Sequence, residues 1–85
     1  MRQDGRLEPD PLVCHRVLAA WLRFTQANAG PTPGGRHPTA YLCQHEGTRY
    51  AVVTSAGGGV LAVYGIRPDG VLVRLGHWPK EIEGY

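Results

Sequence analysis

Apolar residues in this 85-residue chain change spacing near its middle, from helical spacing before position 30 to short runs of strand length after position 38. Between residues 10 and 29 they recur every three or four positions. At 100° per residue, Val13, Val17, Ala20 and Phe24 form one stripe, widened by Cys14, Leu18 and Trp21, while Arg16 and Arg23 project from the other side with His15 and Gln26 near them. This is a core-facing amphipathic helix. Asp10-Pro11 marks its start, since an Asp side chain can accept from a free N–H and Pro loses nothing in the first turn. Gly30 suits the residue after the helix, and Pro31 prevents continuation. Residues 1–9 are polar and read as a flexible tail, and residues 30–38 (GPTPGGRHP) read as a linker.

From Thr39 to Trp78 the pattern is four strands separated by glycine-marked turns: 40–45, 49–55, 60–67 and 71–78. Glu46-Gly47 is a short hairpin turn, and Gly57-Gly58-Gly59 a loop. Arg67-Pro68-Asp69-Gly70 has the chemistry of a type I turn closed by a glycine bulge. That last turn pairs Val63 with Leu75, Tyr64 with Arg74 and Gly65 with Val73. One face then carries Leu61, Val63, Val71, Val73 and Leu75. The other carries Val60, Ala62, Tyr64, Ile66, Leu72 and Trp78. Neither face is polar, unlike an antiparallel sheet with one wet side.

The expected fold is α+β: one helix on a four-stranded antiparallel meander within a single domain spanning 10–85, with 79–85 as a tail. The alternative is a sheet that curls into a small, partly open barrel. The expected core is Val13, Val17, Leu18, Trp21, Phe24, Val53, Leu61, Val63, Val73 and Leu75. A single helix covers one sheet face. The other is left for a second copy of the chain or another protein, with Tyr64, Ile66, Leu72 and Trp78 as the contact residues. On that view Ile66→Glu separates the partners without unfolding the domain.

Composition narrows the chemistry. Hydrophobic residues make up 42% of the chain and charged residues 19%, the balance of a globular protein. The net charge of +2 is small for an electrostatic nucleic-acid binder. Nucleic-acid binding is still the second reading, because Arg49, Arg67, Arg74 and Tyr64 sit on or beside strands, where aromatics can stack bases and cations can track phosphates. Residues 1–9 lack the apolar run of a signal peptide and no stretch reaches bilayer-spanning length, which leads us to expect a cytoplasmic protein with reduced thiols.

Catalytic and cofactor chemistry finds little support. Cys43-x-His45 places a thiol and an imidazole on one strand face, with Cys14, His15, His37 and His77 as further conceivable ligands, but zinc needs four donors and only this pair has helpful geometry. A Cys14–Cys43 disulfide requires the helix to lie directly over the first strand. The three glycines at 57–59 lead into a strand rather than a helix N-terminus, so they make no phosphate cradle. Ser55, the cysteines and the histidines show no nucleophile–base spacing. The expectation is a non-enzymatic interaction module without cofactor.

Overall fold

A computed structural model describes residues 4–29, 38–55, 57 and 59–85, with the backbone alone for residues 25–29. Residues 30–37 of the linker expected at 30–38, with His37, and Gly58 of the glycine loop lie outside the described residues.

The chain runs β1 (Gly5–Arg6), α1 (Pro11–Ala29), β2 (Thr39–His45), β3 (Thr48–Thr54), β4 (Val60–Ile66), β5 (Leu72–Arg74) and a 3-10 helix (Lys80–Gly84). The five strands form one open antiparallel sheet in the order β1-β2-β3-β4-β5. The α+β meander is as expected. The sheet does not curl into the partly open barrel of the alternative, and β1 is an additional strand. Residues expected to be only a tail pair with β2: Gly5 lies opposite Gln44 and Arg6 opposite Cys43, and the Leu7 N–H donates to the Leu42 carbonyl at 2.9 Å. Two residues are too short a stretch for hydrophobic periodicity to register.

Local chemistry sets the element ends as the sequence suggests. Asp10 Oδ1 accepts from the N–H groups of Leu12 (3.1 Å) and Val13 (3.3 Å), capping α1. Glu46 and Gly47 both have positive φ, 50° and 79°, which fits the right-handed twist of a tight hairpin. Asp4 Oδ1 accepts from the Glu46 N–H at 2.9 Å, so the chain near its start braces this turn. At the second tight hairpin the Gly70 N–H donates to the Arg67 carbonyl and the Arg67 N–H to the Val71 carbonyl, with Gly70 at φ +87°. This is the expected turn and glycine bulge.

Helix α1 lies over β2 and β3. Val17 and Trp21 are buried against Leu42, Ala51, Val53, Ala62 and Tyr64, and Val13, Cys14, Leu18, Ala20, Ile66 and Leu72 pack around them. The helix therefore takes the face of Tyr64, Ile66 and Leu72, the face expected to be left open. The hairpin register was as expected, with Tyr64 opposite Arg74 and Gly65 opposite Val73; the side the helix chose was not. Among the expected core residues, Phe24, Leu61 and Val73 are each more than 40% exposed. Leu61 is displaced by a β-bulge: Val53 pairs with Ala62 and Thr54 with Val60, so Leu61 is left without a partner. The same extra residue moves Val60 to the face opposite Ala62.

The second face has its own core. Cys43, Val52, Val63 and Ile82 are buried together, with Tyr41, Tyr50, Val60, Leu75, Trp78 and Tyr85 around them. Its cover is the segment expected to be a mere tail. The 3-10 helix places Ile82, which is 0% exposed, against the sheet, and the Tyr41 hydroxyl donates to the Ile82 carbonyl at 2.8 Å. Trp78 belongs to this side: the chain bends at Gly76, strand pairing ends near Leu75, and the indole N–H reaches Glu83 at 3.0 Å.

Candidate interaction surface

The residues expected to contact a partner are dispersed. Tyr64 is 4% exposed beneath α1, while Ile66 and Leu72 pack against the same cluster, and Trp78 lies on the other side. The four therefore do not form one open face: Tyr64 is buried beneath α1, Ile66 and Leu72 are half-buried beside it, and Trp78 is on the opposite side of the sheet. The nucleic-acid set is divided as well. Tyr64 has no ring face to offer a base. The Arg74 guanidinium stacks 3.7 Å from the Phe24 ring centroid and reaches the Tyr64 hydroxyl at 3.5 Å. Arg67 pairs with Asp69 at 3.2 Å. Arg49 and Arg67 do share a groove of about 470 Å³, with Ile66, Gly47, Thr48 and Pro68.

Cys43 and His45 share a sheet face as expected. Among the described residues, no three His, Cys, Asp or Glu side chains lie together as a metal site needs. Cys14 and Cys43 are both free and lie in different cores, on opposite sides of the sheet. The helix does pack over β2, but alternation along that strand turns Cys43 away from it. His45 anchors a polar cluster instead. Its Nδ1 hydrogen-bonds the Tyr85 hydroxyl and lies 3.8 Å from Asp4, and its Nε2 lies 3.9 Å from Glu81. These contacts tie β1 and the 3-10 helix to the β2–β3 hairpin. Burial first, then nearby Asp4, Glu81, Cys43 and Glu46, hold the Tyr85 phenol above its usual value.

Burial pushes the Cys43 thiol up to about 11, against a lowering pull from Arg6. Tyr41 is also raised, chiefly by burial. The unfolded chain releases the Cys43 proton near pH 9 and the folded chain near 11, so the unfolded state binds fewer protons between those values. Stability should therefore fall as pH rises from 9 to 11. Urea unfolding midpoints should drop more steeply over that window for the native chain than for Cys43→Ala. Equal slopes would show that the thiol contributes nothing to the alkaline loss.

Strand β5 presents what these two cores leave open. It closes one side of the sheet with no described strand beyond it. The Leu75 N–H donates to the Val63 carbonyl and the Arg67 N–H to the Val71 carbonyl, both at 3.0 Å. Antiparallel ladders alternate, so Val73 bonds inward to Gly65 while the backbone groups of Leu72 and Arg74 point away from the sheet. Exposed apolar side chains flank this edge: Val71 (45%) and Val73 (41%) on the second face, and Phe24 (43%) near Arg74 on the helix side. The sequence contained the signal, in the short span between Gly70 and Gly76, but it read as a longer strand ending at Trp78.

No protein-family description matches the chain, and neither the curated proteins nor the solved structures contain a significant match. Among the described residues, no helix is long and apolar enough to cross a membrane.

Proposed function

We propose that this chain is a non-enzymatic protein-interaction module that binds a partner chain along the β5 edge. The observation carrying this reading is the coincidence of a strand edge that pairs with no described strand, at Leu72 and Arg74, with exposed Val71, Val73 and Phe24 beside it. Exposed strand edges template pairing with another chain, and natural proteins usually blunt them with charge, proline or a cover. Here the side chains flanking β5 on the second face are valines. Main-chain hydrogen bonds would supply attraction, and alternate side chains on either face would supply selectivity.

A photoreactive amino acid at Val73 tests the proposal in cells. It should give a protein adduct that excess native chain competes away and Val73→Lys chain does not. The same probe at exposed Lys80 should give none. An adduct with a second copy of the chain or with a different protein fits the reading. No adduct at Val73, or an equal one at Lys80, overturns it.

A further inference from the structure

The helix side of the β5 edge is cationic. His15, Arg16, Ala19, Ala20 and Arg23 of α1 and Leu72 of β5 line a groove of about 400 Å³. It contains no acidic lining residue. Arg16 and Arg23 are exposed, and neither forms an ion pair within the described residues. Arg74 adds a third guanidinium from β5 itself. Stacking on Phe24 engages the plane of that group, and a guanidinium has five N–H donors at its edges.

A strand added beside β5 would lie about 4.8 Å beyond it, with its side chains alternating between the two sheet faces. Those opposite Leu72 and Arg74 would point to the helix side, toward the arginine-lined groove. Those opposite Val73 would point to the other side, against Val71 and Val73. We propose that the β5 edge takes an extended partner segment in which acidic and apolar residues alternate, carboxylates toward Arg16, Arg23 and Arg74 and apolar side chains toward the valines. A second copy of this chain is a poorer occupant. Two-fold pairing of β5 with itself would bring the cationic flanks of two α1 helices toward each other, and like-charge juxtaposition across an interface is costly.

This inference rests on the β5 edge being the binding surface. Its test uses the purified native chain and a capped Glu-Val-Glu-Val-Glu-Val peptide, with Lys-Val-Lys-Val-Lys-Val as control. The acidic peptide should bind, perturbing the backbone resonances of residues 71–75 and of the exposed side of α1, and the basic one should not. Affinity should weaken as salt rises through the range where exposed charges are screened. The double variant Arg16→Glu/Arg23→Glu should lose about tenfold or more in affinity, corresponding to about 1.4 kcal/mol. Equal binding of both peptides, binding indifferent to salt or to the arginine changes, or binding of neither peptide overturns the acidic-segment inference. If the Val73 photoprobe still captures a protein in those cases, the edge reading stands without it. Capture of a second copy alone, with no binding of the acidic peptide, replaces the acidic partner with self-pairing.

Discussion

Ile82→Ala should destabilise the protein by about 2–5 kcal/mol, the range for emptying a fully buried aliphatic site. Ile82 is 0% exposed and closes the second core over Cys43, Val52 and Val63. Few side chains in this small core can move in to fill the space. The 3-10 helix has only five residues, and its N-cap residue, Pro79, makes no side-chain cap. Its hold on the sheet rests largely on Ile82, the Tyr41 hydroxyl bond and the His45 contacts. Domains are commonly stable by only 5–15 kcal/mol, so such a loss is a large part of the whole. Urea unfolding measures it directly. Cys43 provides a local check, because a loosened 3-10 helix should speed its labelling by a thiol reagent relative to the native chain. An unchanged midpoint together with unchanged labelling would mean that the second face does not depend on this cover.

Ile66→Glu should unfold or severely weaken the domain, with a cost of about 2–4 kcal/mol from lost apolar burial and the carboxylate brought beneath the helix. Ile66 packs against the cluster built by Val17, Trp21, Ala62 and Tyr64. Arg49 is its cross-strand neighbour and offers the new carboxylate a partner, which offsets part of the cost, since opposite-charge cross-strand pairs contribute roughly 0.2–1 kcal/mol. Val73→Lys is the matched comparison: the position is 41% exposed on the outermost strand and should lose little stability. Far-ultraviolet circular dichroism with urea titration separates the two. A folded Ile66→Glu with a native midpoint would show that the helix does not use this face. A Val73→Lys variant as damaged as Ile66→Glu would show that the β5 edge is part of the core.

The contrast between these two positions marks where sequence reasoning loses its purchase. Both strand faces carry apolar residues through β3 and β4, so periodicity identifies strands and pairing without ranking the faces. The turn at Pro68-Asp69-Gly70 fixed the β4–β5 register correctly and put Ala62 to Ile66 and Val71 to Leu75 on the right faces, while Val60, Leu61 and Trp78, beyond the bulge and the bend, were misplaced. Which side meets α1 depends on how the helix stripe fits the sheet, and that fit is not encoded in local spacing. The residues of the nucleic-acid reading are spread for a related reason: Tyr64 and Arg74 are neighbours across the hairpin, but Tyr64 is buried beneath α1 while Arg74 is exposed beside it.

What the sequence determined by itself is the set of elements whose causes are local. Asp10 and Pro11 start α1, the hydrophobic stripe makes it amphipathic, Glu46-Gly47 and Gly70 make the tight hairpin turns, and the apolar runs make an antiparallel meander. Tertiary structure decided what depends on contacts between distant segments. It put the helix on the face of Tyr64, Ile66 and Leu72, inserted the bulge that frees Leu61, and recruited Gly5–Arg6 as a strand. It also brought Ile82 back over Cys43 and left β5 short, with no described strand beyond it. The physical reason is range: caps, turns and amphipathic stripes are settled within a few residues by hydrogen bonding and steric limits. The choice between two apolar sheet faces is settled by which cover, helix or 3-10 helix, excludes more water from each.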